Sequence, residues 1–349
     1  MHKFALLLVA IDMKVNIRKI FKYVLSASLA FLLLWVSFRE VEWKTFMDVL
    51  ESCRWGFVLL SMTAGALAFW LRAIRWRRLL LPIDETTRYV TTFNGVNIGN
   101  LSNFIFPRIG EFVRCGVITR HSAPVDPLHP GQKKASYDKV LGTVVMERSW
   151  ELLVMLVLLA VVVVVGFNRF GSFFMEQIWH PVEAGLSFSL WWVVALAFLT
   201  AAAGFYAVWR FRYSSRLCGK ILDVFRNILQ GLSSCLKMDR KWLFFAYTAL
   251  IWGMYWVMAA CTVKAAPFLE ELDMFDALFL SLVGGLGFAV PVPGGIGAFH
   301  FIISLALSAL YEIPTELGVV YATLSHTSQA ITQILFGTVS YIHEMIRKQ

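Results

Sequence analysis

Long apolar runs separated by short polar segments dominate the chain. A helix needs about 20 apolar residues to cross the hydrocarbon core of a bilayer, and backbone inside lipid must satisfy its own hydrogen bonds. The pattern therefore predicts an all-α fold, a polytopic transmembrane helix bundle. We expect six full spans, at Ile20–Phe38, Trp55–Ile74, Val140–Phe167, Leu186–Trp209, Trp242–Val263 and Glu316–Tyr341.

Two further apolar regions are interrupted by residues that bend or break helices. Tyr89–Thr119 contains several asparagines together with Pro107 and Gly110, and Asp276–Leu310 contains a cluster of prolines and glycines. Proline removes a backbone donor, and glycine adopts left-handed backbone angles at no steric cost. We predict a re-entrant hairpin in each region. The second break comprises Pro291, Pro293, Gly294, Gly295 and Gly297.

Composition supports a membrane protein. Hydrophobic residues make up 58% of the chain and charged residues 16%, against about 45–50% and 25% in soluble domains. The net charge of +9 is better explained by the enrichment of Lys and Arg in cytoplasmic loops than by nucleic acid, and no nucleic-acid partner is expected.

The distribution of charge predicts an orientation. If both hairpins return to the side from which they start, residues 1–22, 72–139, 210–241 and 343–349 share one side and hold 26 of the 32 Lys and Arg residues. The positive-inside rule makes that side the cytoplasm. We expect a multi-pass protein of the cell (inner) membrane with both termini cytoplasmic.

The same topology predicts an inverted repeat within a single membrane domain, residues 1–349. Residues 20–167 and 186–342 would each contribute two helices, a hairpin and a further helix, in opposite orientations. The hairpins also share a short sequence motif, Ile109-Gly-Glu-Phe112 and Ile296-Gly-Ala-Phe299. Inverted repeats with broken helices at matching positions are typical of transporters, whose binding sites lie between the halves.

The first hairpin carries most of the candidate chemistry. Its asparagines need polar partners at bilayer depth, and a helix N-terminus freed by Pro107 beside arginines suits a phosphate. An interfacial ion network that pins the hairpin is the alternative interpretation. The candidate headgroup-binding residues here are Asn97, Asn100, Asn103, Arg108, Glu111 and Arg114.

Other polar residues are candidates with simpler alternatives. Glu147, Arg148 and Glu151 would pair with the arginines of the hairpin, or mark a solvated helix start. His300 would bind a headgroup or only pack, and Gln329 lies in a polar stripe that lines a wet cavity or joins helices. The group Arg72, Arg75, Arg77 and Arg78 is interpreted as an interfacial anchor that attracts anionic lipid.

Several kinds of chemistry have no motif here. No P-loop, HExxH or GxSxG sequence occurs, and the five cysteines form no CxxC pair. We therefore expect no cofactor and no metal, and an enzyme is the less favoured class.

The chain resembles the lysylphosphatidylglycerol synthase transmembrane region family, also called the flippase-like domain family. The similarity is carried by Leu71–Trp76, Asn103–Glu111 with Arg114, the Glu147-Arg148 pair and Pro291–Ala298. It implies a helix bundle with re-entrant helices that moves lipids between leaflets. The aminoacyltransferase domain of the bifunctional members does not follow within these 349 residues, so synthase activity is not expected.

The resulting hypothesis is a lipid translocase that passes phospholipid headgroups between leaflets. The expected partners are membrane lipids, anionic or aminoacylated. Two alternatives remain. One is an intramembrane lipid-modifying transferase with Glu111 or Glu147 as base, and the other is a non-transporting subunit of a partner membrane enzyme.

Overall fold

The computed structural model describes residues 17–39, 41–122, 135–167 and 240–347, and a few isolated residues between 192 and 210. All regular structure in these ranges is helical, as the sequence predicts. We number the longer helices in chain order: α1 Ile17–Phe38, α2 Trp43–Ser52, α3 Trp55–Leu80, α4 Tyr89–Ile105, α5 Gly110–His121, α6 Tyr137–Val165, α7 Lys241–Ala265, α8 Met274–Gly287, α9 Ala298–Tyr311 and α10 Thr315–Ile346.

Four described helical segments are long and apolar enough to cross a membrane: α3, α6, α7 and Pro293–Tyr311, which includes α9. Three of them match predicted spans, with ends that differ by a few residues. Helix α10 is the longest at 32 residues, but the polar stripe around Gln329 lowers its hydropathy and it is not among the four. The predicted span Leu186–Trp209 lies outside the described residues.

Helix α1 is followed by a short helix that the apolar pattern did not predict. The axes of α1 and of this short helix, α2, differ by 86°. The two helices are long and apolar enough to cross a membrane only when they are taken together as a bent pair. Phe38 at the end of α1 stacks on Trp43 with ring centroids 6.0 Å apart. Glu42 donates its backbone N–H to Glu316 Oε1 at 2.8 Å, which attaches the bend to the start of α10.

The first interrupted region forms an antiparallel helix hairpin. Helices α4 and α5 approach so closely that a Cβ on Gly110 would lie 2.0 Å from the carbonyl oxygen of Gly99. One turn further along, a Cβ on Gly95 would lie 3.2 Å from the ring of Trp76 and 3.6 Å from the carbonyl oxygen of Arg114. At Gly99 and Gly110 only glycine permits this separation, because a side chain would fill the space between the helices.

The second interrupted region is also an antiparallel hairpin lined with glycine. A Cβ on Gly287 would lie 2.9 Å from the Cα of Phe299, and Gly284 faces the ring of the same residue. The break itself depends on glycine for its backbone angles, since Gly294, Gly295 and Gly297 all have positive φ. A side chain at such positions is strained, so this break requires the glycines that predicted it.

The two hairpins open at opposite ends of the bundle. The first begins and ends beside the C-terminal ends of α3 and α10: Arg77 stacks on Tyr89, and His121 contacts Glu344. The second begins and ends where α7 ends and α10 begins, and Tyr311 donates to Asp276 across its mouth at 2.9 Å.

The two ends of the bundle differ in charge, and we name them accordingly. The basic end carries Arg77, Arg78, His121, Lys241 and Arg347. The acidic end carries Glu42, Glu51, Glu270, Glu271 and Glu316. Helices of 12–17 residues extend only ~18–26 Å, so each hairpin stops inside the bundle, and there the two breaks meet.

Candidate functional site

A cavity of about 440 Å³ lies where the breaks of the two hairpins meet. Eight of the ten numbered helices contribute to its wall, and α1 and α2 do not. Part of its lining is apolar and aromatic, with Met155, Trp252, Tyr255 and Phe288. The lining also includes polar and charged side chains from α3, α4, α5, α6 and α10. The volume is in the range of small-molecule sites.

Direct contacts join the two breaks at the cavity. Arg108 lies in the first break with left-handed backbone angles, φ 62°, and donates from Nη2 to the carbonyl oxygen of Ala289 at 2.7 Å. The ring of Phe104 lies against Gly294, where a Cβ would come within 2.7 Å of it. Residues 181 positions apart in sequence are thereby joined at the tips of opposed hairpins.

The sequence suggested that the N-terminus of α5 is free, but in the structure one of its N–H groups is already bonded. Asn103 Oδ1 accepts a hydrogen bond from the backbone N–H of Gly110 at 2.7 Å. This side-chain bond across the break satisfies one of the donors that every helix start leaves unpaired. Arg108 precedes α5, so it does not share a helical face with Glu111 and Arg114.

Beside the cavity lies a buried network of arginines and glutamates at the middle of the basic half of the bundle. Arg75 on α3 and Glu147 on α6 have fully buried side chains and are 3.1 Å apart, while Arg75 also contacts Glu151 at 2.6 Å. Arg75 Nη1 donates to Thr248 on α7 at 3.2 Å, and the guanidinium lies over the ring of Phe244. One arginine thus joins three helices.

The network continues into the hairpin and to the cavity surface. Arg114 on α5 forms a close ion pair with Glu147 at 2.7 Å and lies over the ring of Trp76. Arg148 contacts Glu111 at 3.0 Å and Glu151 at 2.8 Å. The Arg114–Glu147 and Arg148–Glu111 pairs attach α5 to α6, whereas Arg148 and Glu151 both belong to α6.

Arg72 completes the network at the cavity wall. Its Nε lies 3.7 Å from Glu151, which is an ion-pair distance but too long for a hydrogen bond. Four arginines and three glutamates therefore share one site, which leaves a formal net charge of +1 in the network. Arg75, Arg114 and Glu147 are buried, whereas Arg148 and Glu111 keep 39% and 21% of their side chains exposed. Buried ions at this depth, ~15 Å along α6 from Tyr137, are costly unless paired.

Most of the predicted binding residues reach this site, in two groups. Those that line the cavity are Asn100, Asn103, Arg108, Glu111, Arg148, Glu151 and Gln329. Arg114 and Glu147 lie behind the cavity wall and belong to the ion network. Asn97 is fully buried elsewhere on α4, where its side chain donates to the carbonyl of Phe93 at 2.9 Å.

His300 does not line the cavity. It is buried among Phe38, Phe299 and His326, with the two imidazole centroids 5.1 Å apart. His326 in turn contacts the carbonyl of Gly294 through Nε2 at 2.9 Å. This histidine therefore supports the backbone of the second break, and His300 packs behind it.

Two arginines of the network were assigned a different role from the sequence. Arg72 and Arg75 were interpreted as an interfacial anchor, but both are buried and paired with Glu147 and Glu151. The sequence contained one indication of this role: Arg72 and Arg75 lie before the end of the apolar run and are one helical turn apart. Arg77 stays at the end of α3, where it donates to the carbonyl of Thr87 at 2.7 Å.

A second polar cluster, at the basic end, was also not predicted. Glu344 on α10 accepts a hydrogen bond from Asn94 Nδ2 at 2.7 Å and contacts His121. These contacts join the mouth of the first hairpin to the end of α10.

Among the residues that the structure describes, no group of three or more His, Cys, Asp or Glu side chains is arranged for a metal ion.

Comparison with known proteins identifies a family. The family model described as "Lysylphosphatidylglycerol synthase TM region" matches residues 20–337. No curated protein and no solved structure matches the chain.

Proposed function

The chain belongs to the lysylphosphatidylglycerol synthase TM region family, and we propose that it is a translocase that moves phospholipid headgroups between the two leaflets. Membership associates it with membrane lipids. The observation that carries the proposal is the charged cavity at the meeting point of two opposed hairpins. Such a cavity replaces the water that a headgroup loses when it leaves the bilayer surface.

The acyl chains remain in lipid while the head crosses. The apolar residues of the lining, such as Met155 and Phe288, suit the first carbons of the chains, and the polar and charged residues receive the head. Arg72 and Arg148 supply positive charge to a phosphate, while Asn100 and Gln329 supply neutral hydrogen-bonding groups. No covalent chemistry is required of these residues.

Opposed hairpins provide a route to alternating access. The first hairpin separates the cavity from the basic end and the second separates it from the acidic end. Opening one hairpin at a time would expose the headgroup to one side only. Two features support an inverted repeat of residues 20–167 and 186–342: each half contains a hairpin packed through glycines, and the two hairpins open in opposite directions.

Orientation follows from the charges at the two ends. We place the basic end in the cytoplasm, because Lys and Arg are retained there during insertion. The acidic end, with Glu270 and Glu271, then faces outward, and both termini are cytoplasmic in a cell membrane.

Headgroup translocation in proteoliposomes tests the proposal. Wild-type protein should transfer labelled phospholipid between leaflets, and Arg108→Ala and Glu111→Gln should each lower the rate at least ~tenfold, the effect of losing one charge-assisted hydrogen bond. Arg54→Ala is the matched control, since Arg54 forms an exposed ion pair with Glu270 outside the cavity. Equal rates in all four proteins would contradict the proposed route.

The same samples address the enzyme alternative. A lipid-modifying transferase would produce a new lipid species that mass spectrometry detects in the proteoliposomes. Glu147 is poorly suited as a base, because its carboxylate is fully buried between Arg75 and Arg114. Translocation without a new lipid favours the translocase.

A further inference from the structure

The ten residues of the short helix α2 divide completely into an apolar and a polar side. With 3.6 residues per turn, the apolar side chains fall within ~160° of the helix circumference and the polar ones within ~120°. The apolar side chains are Trp43, Phe46, Met47, Val49 and Leu50, and the polar ones are Lys44, Thr45, Asp48, Glu51 and Ser52. Such a separation is typical of a helix at the boundary between an apolar and an aqueous environment.

The bundle covers only part of the apolar side of α2. Phe46 is buried in a cluster with two valines of α10, and Val49 and Leu50 pack partly against it. Trp43 and Met47, in contrast, are 63% and 50% exposed. They lie ~90° around the helix from the middle of the side that faces the bundle. The helix therefore has a second apolar surface that no other described residue covers.

The position of α2 along the bundle matches the headgroup layer of a bilayer. Ser26 of α1 donates to the carbonyl oxygen of Pro291 at 2.5 Å, so this part of α1 lies at the level where the two breaks meet. From Ser26 to Phe38, α1 rises ~18 Å toward the acidic end. The hydrocarbon core extends only ~15 Å on either side of its centre. If the breaks lie near that centre, α2 begins just beyond the hydrocarbon.

The bend before α2 turns the helix parallel to the membrane surface. Its axis and that of α1 differ by 86°, so α2 runs along the surface if α1 runs across the membrane. Charged side chains such as Lys44 and Asp48 make a position inside the hydrocarbon costly. Exposure of Trp43 and Met47 to water is unfavourable as well. An interfacial position satisfies both sides of the helix.

Neighbouring aromatic residues indicate which way the exposed apolar surface points. The ring of Trp43 stacks on Phe38 at the end of α1, so it points back toward the bundle rather than away from its end. Trp35 in α1 and Trp55 at the start of α3 are also more than half exposed. Tryptophan is enriched at membrane–water interfaces, and these three tryptophans lie at the same end of the bundle.

We propose that α2 is an interfacial helix that lies in the headgroup layer at the acidic end and inserts Trp43 and Met47 among the lipids. One lysine and two acidic residues give the helix a formal charge of −1, so apolar insertion rather than attraction to anionic lipid holds it there. Glu42 joins it to α10, because its backbone N–H donates to Glu316 Oε1 at 2.8 Å. The start of α10 is thereby fixed at the membrane surface, whether or not the chain translocates lipid.

Spin labels at two adjacent positions of α2 test the proposal. Met47→Cys and Asp48→Cys are made separately in a variant without the five natural cysteines, labelled, and reconstituted in phosphatidylcholine vesicles. Collisions of each label are measured with oxygen, which partitions into lipid, and with a nickel chelate, which stays in water. The two positions are neighbours in sequence but lie ~100° apart on the helix. We expect the ratio of oxygen to nickel collisions to be several-fold higher at position 47 than at position 48.

Two further comparisons identify the force that holds the helix. Phosphatidylglycerol in place of phosphatidylcholine should leave the ratio at position 47 unchanged, because α2 carries no net positive charge. Trp43→Ala should lower that ratio several-fold, since the interfacial ring is lost. Trp70→Ala is the matched control, because Trp70 is also more than half exposed but lies ~22 Å along α3 from Trp55. Melting temperatures verify that the variants are folded.

Four results would overturn the proposal. Frequent nickel collisions at both positions would show that α2 projects into water. Protection of both positions from both reagents would show that protein, of this chain or another, covers the exposed surface. A high ratio at position 47 only with phosphatidylglycerol would mean binding to anionic lipid, and an unchanged ratio in Trp43→Ala would contradict insertion of this ring. None of these measurements depends on translocation, so the failure of the translocase leaves the test intact.

Discussion

Arg75 and Glu147 illustrate how individual charges are accommodated at bilayer depth. Neither side chain is exposed, and each has more than one partner: Arg75 contacts Glu147, Glu151 and Thr248, and Glu147 contacts Arg75 and Arg114. Transfer of an ion from water into a low-dielectric interior costs several kcal/mol even after relaxation. Multiple partners offset that cost, so the loss of one partner leaves the others unbalanced.

Replacing Glu147 tests this dependence. Glu147→Ala leaves Arg75 and Arg114 buried with fewer carboxylates, and we expect it to lower the free energy of unfolding by about 3–5 kcal/mol. Glu270→Ala removes an exposed partner of Arg54 and should change it by less than about 1 kcal/mol. Thermal or denaturant unfolding in detergent measures both. Similar losses in the two variants would mean that the buried network contributes no more than a surface ion pair.

At the scale of elements, glycine sets the distance between the helices of each hairpin. Helices α4 and α5 are in backbone contact at Gly99 and Gly110, and α8 and α9 at Gly287. The close approach brings Asn103 to the first N–H of α5 and Arg114 to the carboxylate of Glu147. Helix separation thus determines whether the polar part of the cavity lining is assembled.

Two glycines of α5 provide a matched test. Gly110→Ala places a methyl group 2.0 Å from the oxygen of Gly99 and should destabilise the protein by about 1–3 kcal/mol, because the helices must separate. Gly116→Ala meets no atom within 4 Å and should stabilise it by about 0.5–1 kcal/mol through helix propensity. Melting temperatures should therefore shift in opposite directions. A shift in the same direction would show that the hairpin tolerates a wider spacing.

At the scale of the whole molecule, the bundle is divided into two ends of opposite charge with a cavity between them. Helices α3 and α10 run from the acidic to the basic end, and one hairpin enters from each end. The breaks meet through Arg108 and Ala289. In the proposed translocase, a headgroup would pass this point between the two hairpins rather than through lipid.

Cysteine labelling tests the orientation of the two ends. Lys139 and Glu271 are exposed at the basic and acidic end, respectively, and each is replaced by Cys in a variant without the five natural cysteines. A membrane-impermeant maleimide should label Glu271→Cys in intact cells, and Lys139→Cys only after permeabilisation. Labelling of both positions from the same side would contradict the arrangement of the hairpins.

Much of the fold follows directly from local properties of the chain. Apolar length predicts α3, α6 and α7, because a backbone in lipid has few alternatives to a helix. Proline and glycine predict both breaks, because the first removes a hydrogen bond and the second supplies positive φ at Gly294, Gly295 and Gly297. The short helix α2 was missed, since ten residues of mixed polarity at a membrane surface leave no apolar run to detect.

The residues that form the site could be predicted from the sequence only in part. Asn100, Glu111, Arg148 and Glu151 were recognisable because polar residues in apolar helices need a wet or paired environment. Their partners were not, since Arg72 and Arg75 at the end of a span have the same sequence signature as a lipid anchor. For His300 the sequence left headgroup binding and packing open, and in the structure its side chain packs against Phe38, Phe299 and His326.

The sequence by itself determined the helices, their breaks and the identity of the charged residues, because these depend on neighbours along the chain. Only the tertiary structure decided that the two breaks touch and that four arginines share three carboxylates. Those outcomes depend on which faces of different helices meet, and helical periodicity does not specify the partner of a face.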